Sequence, residues 1–259
     1  MVRGVRAVAA MLLVVGVVTA CGAPDPPGVR PVVLGEVGHD PSAFTQGLEL
    51  APGGAALYEG TGLAGRSQLR ELDPATGAVR RAVPVPNGWF GEGITVSGDR
   101  IWQLTWTDGV ALEWDRASLR LLRTVPMSGE GWGLCRDGDR LVRSDGSARL
   151  RFHDPSTFAE TGGVDVTLDG SPVPDLNELE CVDGQVWANV WQSDRIMRID
   201  RASGRVTAVV DASGLLTPEQ RQHTDVLNGI AALGGGEYLL TGKLWPTMFR
   251  VRFPADHLR

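Results

Sequence analysis

The chain has 259 residues, enough for one large domain or two small ones, and it can bury a substantial core. Its 31 acidic residues outnumber 25 basic ones for a net charge of −6, which excludes a nucleic-acid partner, since that needs a basic face. Glycine (34) and tryptophan (8) are abundant, a composition that fits a turn-rich all-β chain better than a helical one.

The N-terminus reads as a processing segment. Arg3 and Arg6 form a positive region, and residues 7–18 are apolar over a length that suits a signal peptide and is short for a membrane span. Val18, Thr19 and Ala20 then precede Cys21, small residues before a cysteine as in a bacterial lipobox. The expectation is a lipoprotein signal peptide over 1–20 and diacylation of Cys21, with a conventional signal peptide cut elsewhere as the alternative. Two acyl chains hold a protein stably on a bilayer where one does not. The Pro-rich segment 21–31 reads as a stiff, extended tether, and 32–259 as the folded domain. This places the protein outside the cytoplasm, lipid-anchored to the cell membrane, or secreted if the lipobox is unused.

Beyond the tether an internal repeat dominates. Five segments share a pattern: FTQGL (44–48), FGEGI (90–94), EGWGL (130–134), LNELE (176–180) and LNGIA (227–231). Their starts lie 46, 40, 46 and 51 residues apart, the spacing of propeller blades. Each is followed by a second strand-like run, such as IWQLTW (101–106) or VWANVW (186–191). In the first four repeats a third strand ends in a turn beginning at Asp73, Asp115, Asp154 or Asp200. Asp there bonds its own backbone, Pro presets φ, and Gly takes positive φ. A fourth, Val-rich run follows, as at 79–85 and 206–210.

Four strands per unit and five units predict an all-β, five-bladed β-propeller with four-stranded antiparallel blades. The fifth unit ends early, so its outer strand is expected from 32–37 near the mature N-terminus, which closes the ring. Thr217, Pro218 and Gln220 carry the signature of a capped helix start, predicting a short helix before the fifth blade. Cys135 and Cys181 have neither CxxC spacing nor a neighbouring His. Two buried free thiols are the favoured reading, with a disulfide as the alternative.

Propeller inner strands line the axis, so repeat-equivalent residues form a ring. Aligning the five first strands gives Gln46, Glu92, Trp132, Asn177 and Asn228, with Glu178 where the other units carry glycine. Aligning the second strands puts Trp106, Asp145, Trp191 and Lys243 at corresponding positions. The expected site is one acid, one cation, several amides and an aromatic wall at one end of the axis. Buried polar side chains satisfied by water, with tryptophans serving only as core, are the structural alternative. A lone carboxylate among amides and indoles is the kind of group whose pKa rises by desolvation.

These motifs, together with EGTGLAGRSQLR (59–70), SDGS (144–147), VWANVWQSD (186–194) and TGKLWP (241–246), resemble the plant and bacterial glutaminyl-peptide cyclotransferase family. The resemblance spans essentially the whole mature domain. It implies a five-bladed propeller that cyclises N-terminal glutamine of peptides or proteins to pyroglutamate and releases ammonia. It implies Glu92 as the catalytic carboxylate and Gln46, Trp106, Trp132, Asn177, Trp191 and Lys243 as pocket residues, with Phe44 and Phe90 as flanking apolar contacts. No cofactor is implied, and His39, His153, His223 and His257 are too scattered to suggest a catalytic zinc. A monomer is the expected state. The first rival is a non-catalytic, lipid-anchored propeller that captures peptide N-termini or a partner protein. The second is another propeller enzyme, such as a lactonase or quinone-dependent dehydrogenase; it is disfavoured because Asp and Glu fall mostly in expected surface turns.

Overall fold

The computed structural model describes residues 28–254. The expected signal peptide, Cys21 and most of the tether lie outside the described residues. Five four-stranded antiparallel sheets account for nearly all regular structure. Blade 5 combines β1 (Val32–Gly38) with three strands from the far end of the chain. Blade 1 is β2 (Thr45–Leu50), β3 (Leu57–Thr61), β4 (Gln68–Leu72) and β5 (Val79–Pro84). Blade 2 is β6 (Gly91–Ser97), β7 (Arg100–Thr105), β8 (Val110–Asp115) and β9 (Leu121–Pro126). Blade 3 is β10 (Leu134–Asp137), β11 (Arg140–Arg143), β12 (Arg149–His153) and β13 (Glu160–Asp165). A two-stranded hairpin follows, β14 (Thr167–Leu168) and β15 (Ser171–Pro172). Blade 4 is β16 (Leu176–Val182), β17 (Gln185–Val190), β18 (Arg195–Asp200) and β19 (Val206–Asp211). Blade 5 is completed by β20 (Leu227–Gly234), β21 (Glu237–Gly242) and β22 (Thr247–Arg252).

The inner strands β2, β6, β10, β16 and β20 touch one another in cyclic order, so the sheets form a closed five-bladed ring. β1 pairs antiparallel with β22, supplying the missing outer strand of blade 5 from the N-terminal side as expected. Each blade interface has its own apolar cluster. Tyr58, Leu69, Ile94 and Leu112 belong to the blade 1–2 seam, and Leu48, Leu57, Leu239 and Met248 to the blade 5–1 seam that closes the ring. Burial thus falls between sheets, while the outer strands β5 and β1 stay largely exposed. The Asp-led turns form as expected: Asp73, Asp115, Asp154 and Asp200 each accept backbone N–H bonds from residues two or three further on. The predicted helix is α1 (Pro218–Arg221), opened by a complete Thr217–Gln220 capping box.

One reading needs correction. Cys135 on β10 and Cys181 on β16 form a disulfide with a Cα–Cα distance of 5.4 Å, not two free thiols. The partners lie one repeat apart on adjacent inner strands, which the ring brings side by side. The described end of the tether is held against blade 4. Val29 N–H donates to Val209 (2.7 Å) and Val29 carbonyl accepts from Asp211 (3.0 Å), so this stretch runs along the edge of β19 before the chain enters blade 5.

Candidate active site

Glycine and a register shift build the site. A Cβ on Gly93 would stand 2.6 Å from the carbonyl of Trp132, and one on Gly133 would stand 2.0 Å from that of Asn177. Neighbouring inner strands therefore approach to a distance that only glycine permits. The registers of β2, β6, β16 and β20 against their neighbours shift at Thr45/Gly47, Gly91/Ile94, Leu176/Leu179 and Leu227/Ile230. Such bulges re-aim the residues they contain. Gln46, Glu92, Asn177 and Asn228 lie inside them, four of the five ring positions read from the repeat; the fifth, Trp132, precedes β10, whose register runs regularly.

A cavity of about 240 Å³ opens at this end of the axis. Phe44, Gln46, Phe90, Glu92, Trp106, Trp132, Asn177, Trp191 and Lys243 all line it, so the nine side chains singled out from the sequence converge there. Gln192 and Asp225 complete the lining and were not foreseen. They lie in the blade-top turn after β17 and the long connection before β20, which no repeat position marks. Asn228 is buried just behind: its Nδ2 donates to the Thr45 carbonyl (2.9 Å) and to Gln46 Oε1 (3.2 Å). Asp145 departs from its second-strand counterparts. Its carboxylate is held outside the cavity by Arg151 (2.7 Å) and by Ser147.

Glu92 is 5% exposed. Gln46 Nε2 donates to its Oε1 at 3.1 Å. Burial pushes its carboxyl well above the usual carboxylate range; Lys243 pulls it down and Glu130 adds to the upward push. Lys243 is buried too, and desolvation lowers its pKa against the opposing pull of Glu92 and Asp225. Its Nζ sits 4.7 Å from the centre of the Phe44 ring, a cation–π contact.

The aromatic wall is a chain of edge contacts. Phe44 meets Phe90 at 6.2 Å, Phe90 meets Trp106 at 5.7 Å, and Trp132 meets Trp191 at 5.6 Å between ring centroids. Trp106 and Trp191 are 43% and 39% exposed, an unusual placement for large apolar side chains unless they face a ligand. Glu130, also unforeseen, accepts from the indole Nε1 of both Trp106 (2.7 Å) and Trp132 (2.9 Å) through one oxygen.

Not every acid lies in a surface turn. Glu178 is buried, accepting from the backbone N–H of Leu48 (3.2 Å) and Ile230 (2.8 Å), and so ties blade 4 to blades 1 and 5. Burial pushes its carboxyl up, and Glu180 and Glu49 push the same way. Glu59 is buried with His39, whose Nε2 lies 2.9 Å from Glu59 Oε1. Among the described residues no group of three His, Cys, Asp or Glu is placed to hold a metal ion.

Comparison with known proteins agrees with this architecture. A family model described as glutamine cyclotransferase matches residues 7–253. A glutaminyl-peptide cyclotransferase from Arabidopsis thaliana is 40% identical over 225 residues, covering 85% of this chain and 70% of the plant protein. The crystal structure of Myxococcus xanthus glutaminyl cyclase superposes with a TM-score of 0.76 at 41% identity, covering 87% of this chain and 98% of that one.

Proposed function

The chain belongs to the glutamine cyclotransferase family and carries that enzymatic activity; from this premise we propose that Glu92 moves the proton in a metal-independent cyclisation of N-terminal glutamine. The observation that carries the reading is a buried carboxyl, raised in proton affinity, among carboxamides, an ammonium and indoles. A free α-amine titrates near pH 7.7–8.0, about three and a half units above an ordinary glutamate. Burial narrows that gap, so a proton passes between Glu92 and the substrate nitrogen at low cost.

The α-amine nitrogen attacks the γ-carboxamide carbon of the same residue, forming the ring C–N bond. The Glu92 carboxylate takes the proton released by the attacking nitrogen and then gives it to the departing amide nitrogen. The exocyclic C–N bond breaks, ammonia leaves, and Glu92 returns to the carboxylate. Because Gln46 donates to Oε1, the exchangeable proton is favoured on Oε2. That bond commits one Gln46 donor to Glu92, and leaves Lys243 and Asn177 as the better candidates to hold the γ-oxygen as it gains negative charge. One such donor contributes about 2.7–4 kcal/mol. The aromatic wall excludes water, so ring closure outruns hydrolysis.

The cavity suits little more than one residue, so the peptide must leave it. A polar groove of about 350 Å³, lined by residues 192–194, Arg221 and 224–226, shares Gln192 and Asp225 with the cavity and offers the path. The disulfide is in keeping with an oxidising compartment, which supports export; anchoring through Cys21 rests on the small residues that precede it.

The test is to incubate the protein with a Gln-initiated peptide and follow ammonia and the matching mass loss. Conversion to a pyroglutamyl peptide is expected. Tight binding without any mass change would overturn the reading in favour of a capture module.

A further inference from the structure

The aromatic wall has one gap. Its rings run Phe44, Phe90, Trp106, Trp132, Trp191, and three of the four neighbouring pairs touch ring to ring. Trp106 and Trp132 do not. Between them stands Glu130, whose Oε2 accepts from both indoles at 2.7 and 2.9 Å. Glu130 occupies the repeat position that carries Phe44 in blade 1 and Phe90 in blade 2. Blade 3 has thus exchanged a ring contact for a charged double acceptor.

We propose that Glu130 is a positioning residue that clamps Trp106 of blade 2 and Trp132 of blade 3 into one continuous wall around the substrate glutamine. This rests on the cyclisation reading above. The backbone sets the clamp: Gly131 N–H donates to the Trp106 carbonyl at 2.9 Å, holding Glu130 beside the end of β7. Trp106 is 43% exposed, so the ring has no deep packing to fix its rotamer. A charge-assisted bond is stronger and more directional than a neutral one, and here a single oxygen fixes two side chains. Glu130 also puts negative charge near Glu92, reinforcing the effect of burial on that carboxyl. The residue therefore acts on shape through the indoles and on proton affinity through its field, without a covalent role.

Glu130→Ala and Glu130→Gln in the full chain separate the two effects. Loss of a bond to a charged group corresponds to about 10- to 100-fold, so Glu130→Ala should raise KM by that order. The amide oxygen of Glu130→Gln still accepts from both indoles and should recover most of KM. Its neutral charge should move the acid limb of the kcat–pH profile to lower pH. Two-dimensional NMR of the indole N–H groups gives a readout that needs no turnover: the Trp106 and Trp132 signals should shift and lose exchange protection in Glu130→Ala. Unchanged indole signals in Glu130→Ala, or an equal KM in both variants, would overturn the clamp. Failure of the wild-type protein to release ammonia would instead overturn the cyclisation reading, and the NMR comparison would still decide the clamp.

Discussion

Replacing Glu92 by Gln tests the chemistry and the electrostatics together. The amide has nearly the volume of the carboxyl, so the cavity and its aromatic wall should persist. What disappears is a group able to accept and return a proton, a contribution of about 10²–10⁴-fold. We expect kcat to fall by that order for a Gln-initiated peptide while KM changes little, measured by coupled ammonia release. Stability should move the other way. The folded-state proton affinity of Glu92 is raised by burial, so the folded protein retains a proton that the unfolded chain loses above about pH 4.5. The favourable contribution of this group is complete below the unfolded pKa and is lost as pH rises through the folded one. Each tenfold change in proton affinity is worth about 1.4 kcal/mol. Glu92→Gln should therefore match the wild type near pH 4 and exceed it in Tm at pH 8–9. Turnover within a few-fold of wild type removes Glu92 from the mechanism. Equal Tm at pH 8–9 would show that burial does not perturb the carboxyl.

Glu178→Ala should strip two buried N–H groups, those of Leu48 and Ile230, of their acceptor. At about 1–3 kcal/mol for each, denaturant unfolding should register a loss of about 2–6 kcal/mol. Cys135→Ser opens a loop with a sequence separation of 46 and should cost about 2–4 kcal/mol, read in the same way and absent when the wild type is compared under reduction. Turnover should survive strong chelators; a loss restored by added zinc would refute the metal-independent scheme. Breaking the Asp194–Arg221 ion pair with Arg221→Ala should lower kcat/KM for long peptides while glutamine amide is turned over normally. Equal effects on both substrates would remove the groove from the peptide path.

The architecture was legible because the sequence writes it five times. Gly-Leu or Gly-Ile on inner strands, Asp-led turns and Val-rich outer strands recur at blade spacing, and aligning them put Gln46, Glu92, Trp132 and Asn177 at one level of the axis. What escaped depends on departures from the repeat. Glu130 sits where two other blades carry phenylalanine, and its role appears only when two tryptophans from different blades are seen to share it. Cys135 and Cys181 occupy repeat positions offset by one residue, and adjacency of inner strands alone makes them partners. Asp145 aligned with Trp106 and Lys243 but belongs to an ion pair with Arg151, because a nearby guanidinium compensates its charge outside the cavity. Glu178 replaced a glycine, and its long side chain reaches across the axis to backbone donors of two other blades.

That last substitution shows why this fold can host the chemistry. Gly47, Gly93 and Gly133 lie where the backbone of a neighbouring blade presses close, and at the same level the register of β2, β6, β16 and β20 slips. The slip costs a blade its regular ladder at one end and turns a polar side chain toward the axis. Repeated around a ring, a local defect that would weaken a single sheet becomes a set of convergent polar groups. The blade seams, each with its own apolar cluster, hold those groups in place. Glu178, within the slip of β16, joins three blades, so the ring cannot breathe there without exposing its buried carboxyl or orphaning Leu48 and Ile230. Rigidity of this kind suits an intramolecular reaction. The substrate supplies both nucleophile and electrophile, and the protein accelerates ring closure chiefly by holding one conformer still, with a proton carrier beside it.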